Sequence, residues 1–264
     1  MNKLKTLKVL MIGNSFSEDT VPHMDGMAKA YGLEDFVIAT LMIGGCPLSL
    51  HYQNSKNGSK TYDFFYYDSK NGEWRIDRQK SLEEGIGYTD WDYITLQQVS
   101  PLSGNESTYN HEIDELLDFF KEKATNKNVK FVWNMTWAYQ YGHPALELYE
   151  NDQKSMYKSI ITTVQRKIET NCKINAVSPA GTSIQNARTS YLGDSFNRDG
   201  IHLSLGLGRY ISGLTLFCLL TNCNPHEMTF KLDEMTDGEF EVAKESVANA
   251  LKQKYSVTNS KFTK

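Results

Sequence analysis

The sequence predicts a three-layer α/β sandwich, because short apolar runs alternate with stretches of helical periodicity. Five runs have the continuous hydrophobicity of strands that are buried on both faces. These runs are residues 8–12, 36–43, 91–96, 129–135 and 174–177. Strands joined through helices pair in parallel by right-handed crossovers, so the helices cover both faces of one sheet.

The segments between the strands carry signals of their own. Helices are predicted at residues 21–31, 111–123, 146–169, 207–220 and 233–252. Ser81 and Glu84 have the spacing of a capping box, which predicts a short helix after residue 81. Residues 61–77 differ, because apolar residues alternate around Asn71-Gly72, a dipeptide typical of tight hairpin turns. We therefore expect a β-hairpin insertion near residues 61–77.

Composition excludes several classes of protein. The chain has 264 residues, 40% of them hydrophobic, and 28 Lys and Arg against 32 Asp and Glu give a net charge of −4. Without a basic excess, nucleic acid is not expected as a partner. No apolar run approaches the roughly 18–20 residues of a membrane span. Residues 1–264 contain no repeat or linker, which predicts one domain.

The sequence shows neither a clear targeting signal nor a metal-binding motif. The apolar run after Met1 to Lys5 is too short for a signal peptide. The chain is therefore expected to be cytoplasmic, or periplasmic or secreted if a signal peptide has been removed. The four cysteines have neither CxxC spacing nor histidines at zinc-binding spacing. We expect no metal and no cofactor, and the sequence does not indicate an oligomeric state.

Residues suited to acyl transfer follow the predicted strands, where ligands bind in such sheets. Ser15 comes after the first strand, Gly45 after the second, and Gln97 after the third. Asp199 and His202 stand three residues apart near the C-terminus. A histidine can take the proton of a serine hydroxyl, and a carboxylate fixes its tautomer. Main-chain and side-chain amides can stabilise the oxyanion that forms.

These residues carry a resemblance to a known family. Gly13-Asn14-Ser15-Phe16-Ser17 resembles the nucleophile block of the SGNH, or GDSL-type, hydrolases, and Asp199-Gly200-Ile201-His202 resembles their terminal Asp-x-x-His block. The resemblance spans about residues 8–215. It implies a flavodoxin-like α/β/α sandwich with a five-stranded parallel sheet. It also implies Ser15 as nucleophile, His202 as base and Asp199 as the residue that orients it.

The expected oxyanion hole consists of Ser15, Gly45 and Gln97. The family has Gly-x-Asn-Asp in its third block, where this chain has Leu96-Gln97-Gln98-Val99-Ser100. Glutamine also carries an NH₂ donor, although its reach is longer. Gln97 is the expected substitute for the asparagine, and Gln98 is the alternative.

The resemblance predicts a serine esterase that removes an acyl group, with acetyl favoured, from a carbohydrate or a similar small ester. The expected partner is thus a small-molecule or glycan ester. Further substrate contacts are expected from Gln98, Trp137, Tyr139, His51 and Arg188. The alternative is a catalytically weak carbohydrate-binding protein on the same fold, which the atypical glutamines would explain. A nucleotide-binding module is disfavoured, since no glycine-rich phosphate loop is present.

Overall fold

A computed structural model describes residues 4–263, which build a mixed sheet with helices on both sides. Met1 to Lys3, part of the stretch considered for a signal peptide, lie outside the described residues. Within the described part of the chain the sheet has seven strands, in the order β4-β3-β2-β1-β5-β6-β7. The strands are β1 (Thr6–Gly13), β2 (Asp35–Met42), β3 (Tyr62–Asp68), β4 (Glu73–Lys80), β5 (Tyr93–Leu96), β6 (Lys130–Asn134) and β7 (Ala176–Ser178).

The parallel part of the sheet has the five strands that were predicted. β2, β1, β5, β6 and β7 pair in parallel, and β1, at the centre, is almost wholly buried. The fold class is therefore confirmed as the flavodoxin-like α/β sandwich typical of SGNH hydrolases.

The expected count of five strands is wrong for the complete sheet. The predicted hairpin is present, but it does not stand apart: β3 pairs antiparallel with β2, and β4 pairs antiparallel with β3. Pairing with β3 satisfies the backbone groups that β2 would otherwise expose at the sheet edge. It also buries Tyr62, Phe64 and Tyr66 on one face of the hairpin.

Most of the helices in the described chain belong to one of two groups. α3, α4 and α5 contact one another, and α8 contacts α1, α2, α7 and α9. The helices are α1 (Ser15–Thr20), α2 (Met24–Tyr31), α3 (Leu48–Asn57), α4 (Leu82–Ile86), α5 (Glu112–Lys123), α6 (Gln153–Lys167), α7 (Ala180–Ala187), α8 (Leu207–Thr221) and α9 (Asp237–Lys252). No helix in the described range is long and apolar enough to cross a membrane.

Local chemistry explains where the helices begin and end. Ser81 and Glu84 form the predicted capping box at the start of α4. The helix predicted at residues 146–169 begins later, because Glu150 and Asn151 adopt positive φ angles and Asp152 then caps α6. The sequence analysis predicted neither α3 nor α7.

The sheet order places the ends of three strands side by side. Gly13 at the end of β1 is paired with Met42 of β2, and Ile12 with Leu96 of β5. The chain leaves β1 between strands on either side, which is where a crevice opens at the carboxyl edge of such a sheet. The segments after β1, β2 and β5 therefore meet at one place.

Candidate active site

Ser15, His202 and Asp199 form one chain of hydrogen bonds. The Nε2 atom of His202 lies 2.9 Å from Ser15 Oγ, and its Nδ1 atom lies 2.7 Å from Asp199 Oδ2. An ionised carboxylate only accepts hydrogen bonds, so Nδ1 carries the proton in the neutral ring. Nε2 is then free to accept the proton of the serine hydroxyl. The structure thus brings together the three residues expected as a catalytic triad.

Ser15 is the first residue of α1, directly after the central strand. Asn14 caps this helix, because its Oδ1 accepts a hydrogen bond of 3.1 Å from the Phe16 N–H. The Ser15 side chain is half-buried, and in the described chain its N–H donates to no protein acceptor. The nucleophile candidate therefore lies at a strand-to-helix junction with its hydroxyl beside the imidazole.

The Asp199 to His202 turn is built around the carboxylate. Asp199 Oδ1 accepts hydrogen bonds from the N–H groups of Ile201, at 2.9 Å, and His202, at 2.7 Å. Partial burial raises the pKa of Asp199, but the hydrogen bonds from the His202 ring and from these two N–H groups outweigh it and lower that pKa to about 2. Asp199 is therefore ionised at neutral pH.

Gly200 allows the turn to pack closely against a neighbouring loop. Its φ is +83°, and a Cβ at this position would lie 2.4 Å from the His143 ring. The Gly200 carbonyl also accepts a hydrogen bond of 2.8 Å from the Gln140 N–H. The loop that follows β6 is thereby attached to the turn that carries Asp199 and His202.

A buried carboxylate on α1 anchors the segment that carries His202. Asp19 Oδ1 lies 2.8 Å from an Nη of Arg198 and 2.8 Å from an Nη of Arg209, and Oδ2 accepts the Leu203 N–H at 2.8 Å. The Asp19 side chain is 0% exposed. Because Asp19 is four residues after Ser15, both side chains project from one face of α1. Asp19 thus joins the helix of the serine to the segment of the histidine.

Two stacked aromatic side chains pack against the segment that carries the histidine. Phe16 and Trp137 stack at 4.1 Å between ring centroids, and the edge of the His202 ring meets Phe16 at 5.9 Å. Trp137 Nε1 donates a hydrogen bond of 2.9 Å to the Ile201 carbonyl. Trp137 is 0% exposed, so the expectation that it contacts substrate is not supported. Its position is that of a support for the Ile201-His202 backbone.

Gly45 lies in the exposed turn between β2 and α3. Its φ is +63°, and a Cβ there would meet nothing within 4 Å. Asn14 Nδ2 donates to the Cys46 carbonyl at 3.1 Å, which holds this turn beside the start of α1. In the described chain the Gly45 N–H has no protein acceptor. Its part in an oxyanion hole remains a prediction, as does that of the Ser15 N–H.

Gln97 does not reach the surface of the site. Its Nε2 donates to Asn14 Oδ1 at 2.9 Å, and its Oε1 accepts from Ser17 Oγ at 3.1 Å and from Asn134 Nδ2 at 3.0 Å. The residue is 0% exposed. This burial does not support the expected direct donation from Gln97 to an oxyanion. The longer glutamine side chain is used to hold Asn14.

Gln98, the alternative donor and a predicted substrate contact, is also part of the scaffold. Its Oε1 accepts from the Leu48 and Val99 N–H groups at 3.1 and 2.9 Å, and its Nε2 donates to Thr108 Oγ1 at 3.1 Å. The side chain is buried. It connects the end of β5 to the start of α3, so the expected contact with substrate is not supported.

The remaining predicted substrate contacts are buried as well. Tyr139 donates from its hydroxyl to Ser100 Oγ at 2.9 Å, and His51 Nδ1 lies 2.9 Å from the Tyr62 hydroxyl. Burial lowers the pKa of His51 to about 3, so this ring is neutral. The expectation that these side chains contact substrate is not supported, because both are packed inside the protein.

Arg188 is a buried ion-pair centre rather than a surface cation. Its Nε lies 2.7 Å from Asp194 Oδ1, and its Nη2 donates to the Ala138 carbonyl at 2.9 Å and to Asn197 Oδ1 at 2.8 Å. Burial lowers its pKa to about 10, which leaves it charged at neutral pH. Its expected contact with substrate is not supported. Instead, Arg188 fixes the loop after β6 against the segment that leads to Asp199.

Tyr141, which the sequence analysis missed, is an aromatic residue of this loop that reaches solvent. The residue is 75% exposed, and its N–H donates to Asp194 Oδ2 at 2.7 Å. Because Gln140 is bonded to Gly200, Tyr141 stands near the turn that carries Asp199. The available signal was its position in a long loop directly after a buried strand.

The described residues contain no group of three or more His, Cys, Asp or Glu side chains that could hold a metal ion. The chemistry available at this site is that of a serine hydroxyl, an imidazole and a carboxylate, with two unpaired main-chain N–H groups nearby. Acyl transfer through a covalent intermediate uses groups of these kinds.

Comparisons with known proteins agree with this fold. A solved SGNH hydrolase candidate from Slackia heliotrinireducens has a TM-score of 0.51 and 18% identity, and the match covers 83% of this chain and 100% of that chain. This likeness extends to the fold alone. No curated protein matches the sequence.

A second solved structure is much more similar. It is a DUF4886 family protein from Bacteroides uniformis with a TM-score of 0.93 and 35% identity, and the match covers 98% of this chain and 100% of that chain. Residues 8–250 also match the family described as a domain of unknown function, DUF4886. The chain therefore belongs to the DUF4886 family.

Proposed function

We propose that this protein is a serine esterase that hydrolyses esters through an acyl-enzyme on Ser15. The observation that carries the proposal is the continuous hydrogen-bond chain from Ser15 through His202 to Asp199. Both separations fall within the roughly 2.6–3.2 Å at which a base activates a nucleophile and a third group orients the base.

The first half of the proposed reaction forms the acyl-enzyme. Ser15 Oγ attacks the ester carbonyl carbon while its proton moves to His202 Nε2. The tetrahedral intermediate carries its negative charge on the former carbonyl oxygen, and the Ser15 and Gly45 N–H groups donate to it. Collapse of the intermediate breaks the ester bond, and the departing alcohol takes the proton from Nε2.

The second half releases the acid. Water gives a proton to His202 Nε2 and attacks the acyl carbon, and the second collapse returns that proton to Ser15 Oγ. Throughout, the Asp199 carboxylate stabilises the imidazolium that forms. The low pKa of Asp199 supports this role, because the carboxylate is ionised at neutral pH.

The proposal also includes the class of ester that the protein hydrolyses. The resemblance to SGNH hydrolases favours an acetyl group on a carbohydrate or on a similar small alcohol. An exposed ring of Tyr141 near the site supports an acceptor with a flat apolar face. The site is open to solvent on the side of Asp199, whose side chain is 49% exposed, and this suits an acceptor that extends beyond the site.

Hydrolysis of p-nitrophenyl acetate tests the proposal. We expect turnover by the wild type and a loss of about three orders of magnitude or more in kcat for Ser15→Ala, as in other triads. Ser49→Ala, an exposed serine at the start of α3, serves as the matched control. Equal rates for wild type and Ser15→Ala would overturn the proposal. Oligosaccharide binding without any ester hydrolysis would favour a carbohydrate-binding protein instead.

A further inference from the structure

Two thiols that the candidate active site does not use meet where α8 ends. The sulfur atoms of Cys218 and Cys223 are 3.0 Å apart, and both cysteines are free thiols. Asn222 adopts a left-handed conformation with φ +55°, which ends the helix and turns the chain back on itself. This turn brings Cys223 to the side chain of the residue five positions earlier. Cys218 lies eleven residues after Leu207, the first residue of α8, which is about 16 Å along the helix.

The two thiols differ in their access to solvent. Cys218 is 2% exposed, whereas Cys223 is half-buried. Cys223 lines a surface cavity with Met228 and Thr229, and both cysteines line a second cavity with Leu251 and Lys252. A small molecule from solvent can therefore reach the sulfur of Cys223 first, with Cys218 directly behind it.

The pKa values of the two thiols also differ, and the more accessible thiol has the lower pKa. The hydrogen bond from the Cys218 thiol lowers the pKa of Cys223 to about 7, although burial opposes this shift. The same hydrogen bond, together with burial, raises the pKa of Cys218. The accessible sulfur is thus the one with more thiolate character, and the thiolate is the reactive form.

The other two cysteines lack these features. Cys46 is buried, and burial raises its pKa to about 12. Cys172 is exposed, and no second sulfur contacts it in the described chain. Cys172 therefore provides an internal reference for simple surface reactivity.

We propose that Cys223 and Cys218 form a redox-active dithiol that reacts with small-molecule disulfides. The Cys223 thiolate attacks one sulfur of the small disulfide, breaks its S–S bond and expels one thiolate. The Cys218 thiol then loses its proton to solvent and attacks Cys223 Sγ, which expels the second small thiol. Two protein thiols are oxidised to one disulfide, and the small disulfide is reduced to two thiols.

The separation of the sulfurs suits the second step. A disulfide bond is about 2.05 Å long, so closure requires the sulfurs to approach by about 1 Å. The short connecting segment keeps Cys218 next to any mixed disulfide on Cys223. This proposal is independent of the proposed esterase activity.

Intact-mass measurement and peptide mapping of the full chain, treated with oxidised glutathione, test the proposal. We expect the wild type to lose the mass of two hydrogens, with a link between Cys218 and Cys223 that dithiothreitol reverses. Cys218→Ser, which lacks the resolving thiol, is expected to retain one glutathione on Cys223. Cys223→Ser is expected to leave the buried Cys218 unmodified. Circular dichroism spectra like that of the wild type establish that both variants are folded.

Two results would overturn the proposal. One is a wild-type protein that keeps a stable glutathione on Cys223 without closing the bond. The other is a protein in which Cys218 and Cys223 both stay reduced, whether or not Cys172 is modified under the same conditions.

Discussion

Replacing Asp19 by asparagine tests how the two halves of the candidate site are held together. The substitution keeps the size of the side chain and an oxygen that can accept from the Leu203 N–H. It removes the negative charge that faces Arg198 and Arg209, each 2.8 Å away. The serine and the histidine themselves are unchanged, so any effect on them acts through position.

The structure sets the expected size of the effect. Breaking a fully buried ion pair costs about 3–5 kcal/mol, because the remaining charge is left without a partner. Here the side chains of Arg198 and Arg209 are 33% and 17% exposed, so water solvates part of the positive charge that the substitution leaves without a partner. We expect Asp19→Asn to lower the free energy of unfolding by about 2–3 kcal/mol. A displacement of the His202 segment by about 1 Å would lower kcat by about 100-fold.

Urea unfolding and p-nitrophenyl acetate kinetics measure the two effects. Asp118→Asn is the matched control, since Asp118 makes an ion pair with Lys173 but its side chain is 67% exposed. Such a surface pair contributes about 0–1 kcal/mol. The reasoning would be refuted if Asp19→Asn matched Asp118→Asn in stability, or if its kcat equalled that of the wild type.

Three further predictions concern residues around the triad. Because hydrogen bonds in the folded state lower the pKa of Asp199, its contribution to stability is present at neutral pH and is lost as the pH falls toward about 2. The difference in urea midpoint between wild type and Asp199→Asn should therefore shrink on acidification, and a constant difference would contradict this. If Gln97 acts by holding Asn14, the effects of Gln97→Ala and Asn14→Ala on kcat should be strongly non-additive in a double-mutant cycle, whereas additive effects would argue for separate roles. Gly200→Ala should lower the free energy of unfolding by clearly more than Gly142→Ala, because both positions have positive φ but only the first Cβ would collide with His143. Equal urea midpoints would show that this contact is easily relieved.

The sequence was sufficient for the parallel sheet, whereas the meeting of Ser15 with Asp199 and His202 was predicted from the resemblance to the SGNH hydrolases. Strands buried on both faces leave a continuous apolar signal, and the rules of parallel sheets then fix where their ends meet. The sequence did not reveal that the hairpin joins the sheet, since pairing of β3 with β2 depends on a tertiary contact that leaves no local pattern. α3 was missed because its sequence, Leu48–Asn57, is polar and has little helical periodicity.

The buried positions of the predicted substrate contacts have one physical reason. Polar and aromatic residues that directly follow buried strands can either face the crevice or fill the space beneath it. Trp137 and Gln97 do the second, because Ile201 and Asn14 offer hydrogen-bond partners inside the protein. Only the fold shows which of these choices a side chain makes. The role of Asp19 needed the fold too, since its partners are about 180 residues away in sequence.

The central claim is that Ser15 becomes acylated, and covalent labelling tests it most directly. A fluorophosphonate reacts with serines that a neighbouring base activates, and intact-mass measurement with peptide mapping locates the adduct. The account predicts one adduct on Ser15 in the wild type and in Ser49→Ala, and none in Ser15→Ala. An unlabelled wild type, or the same label on Ser15→Ala, would contradict it.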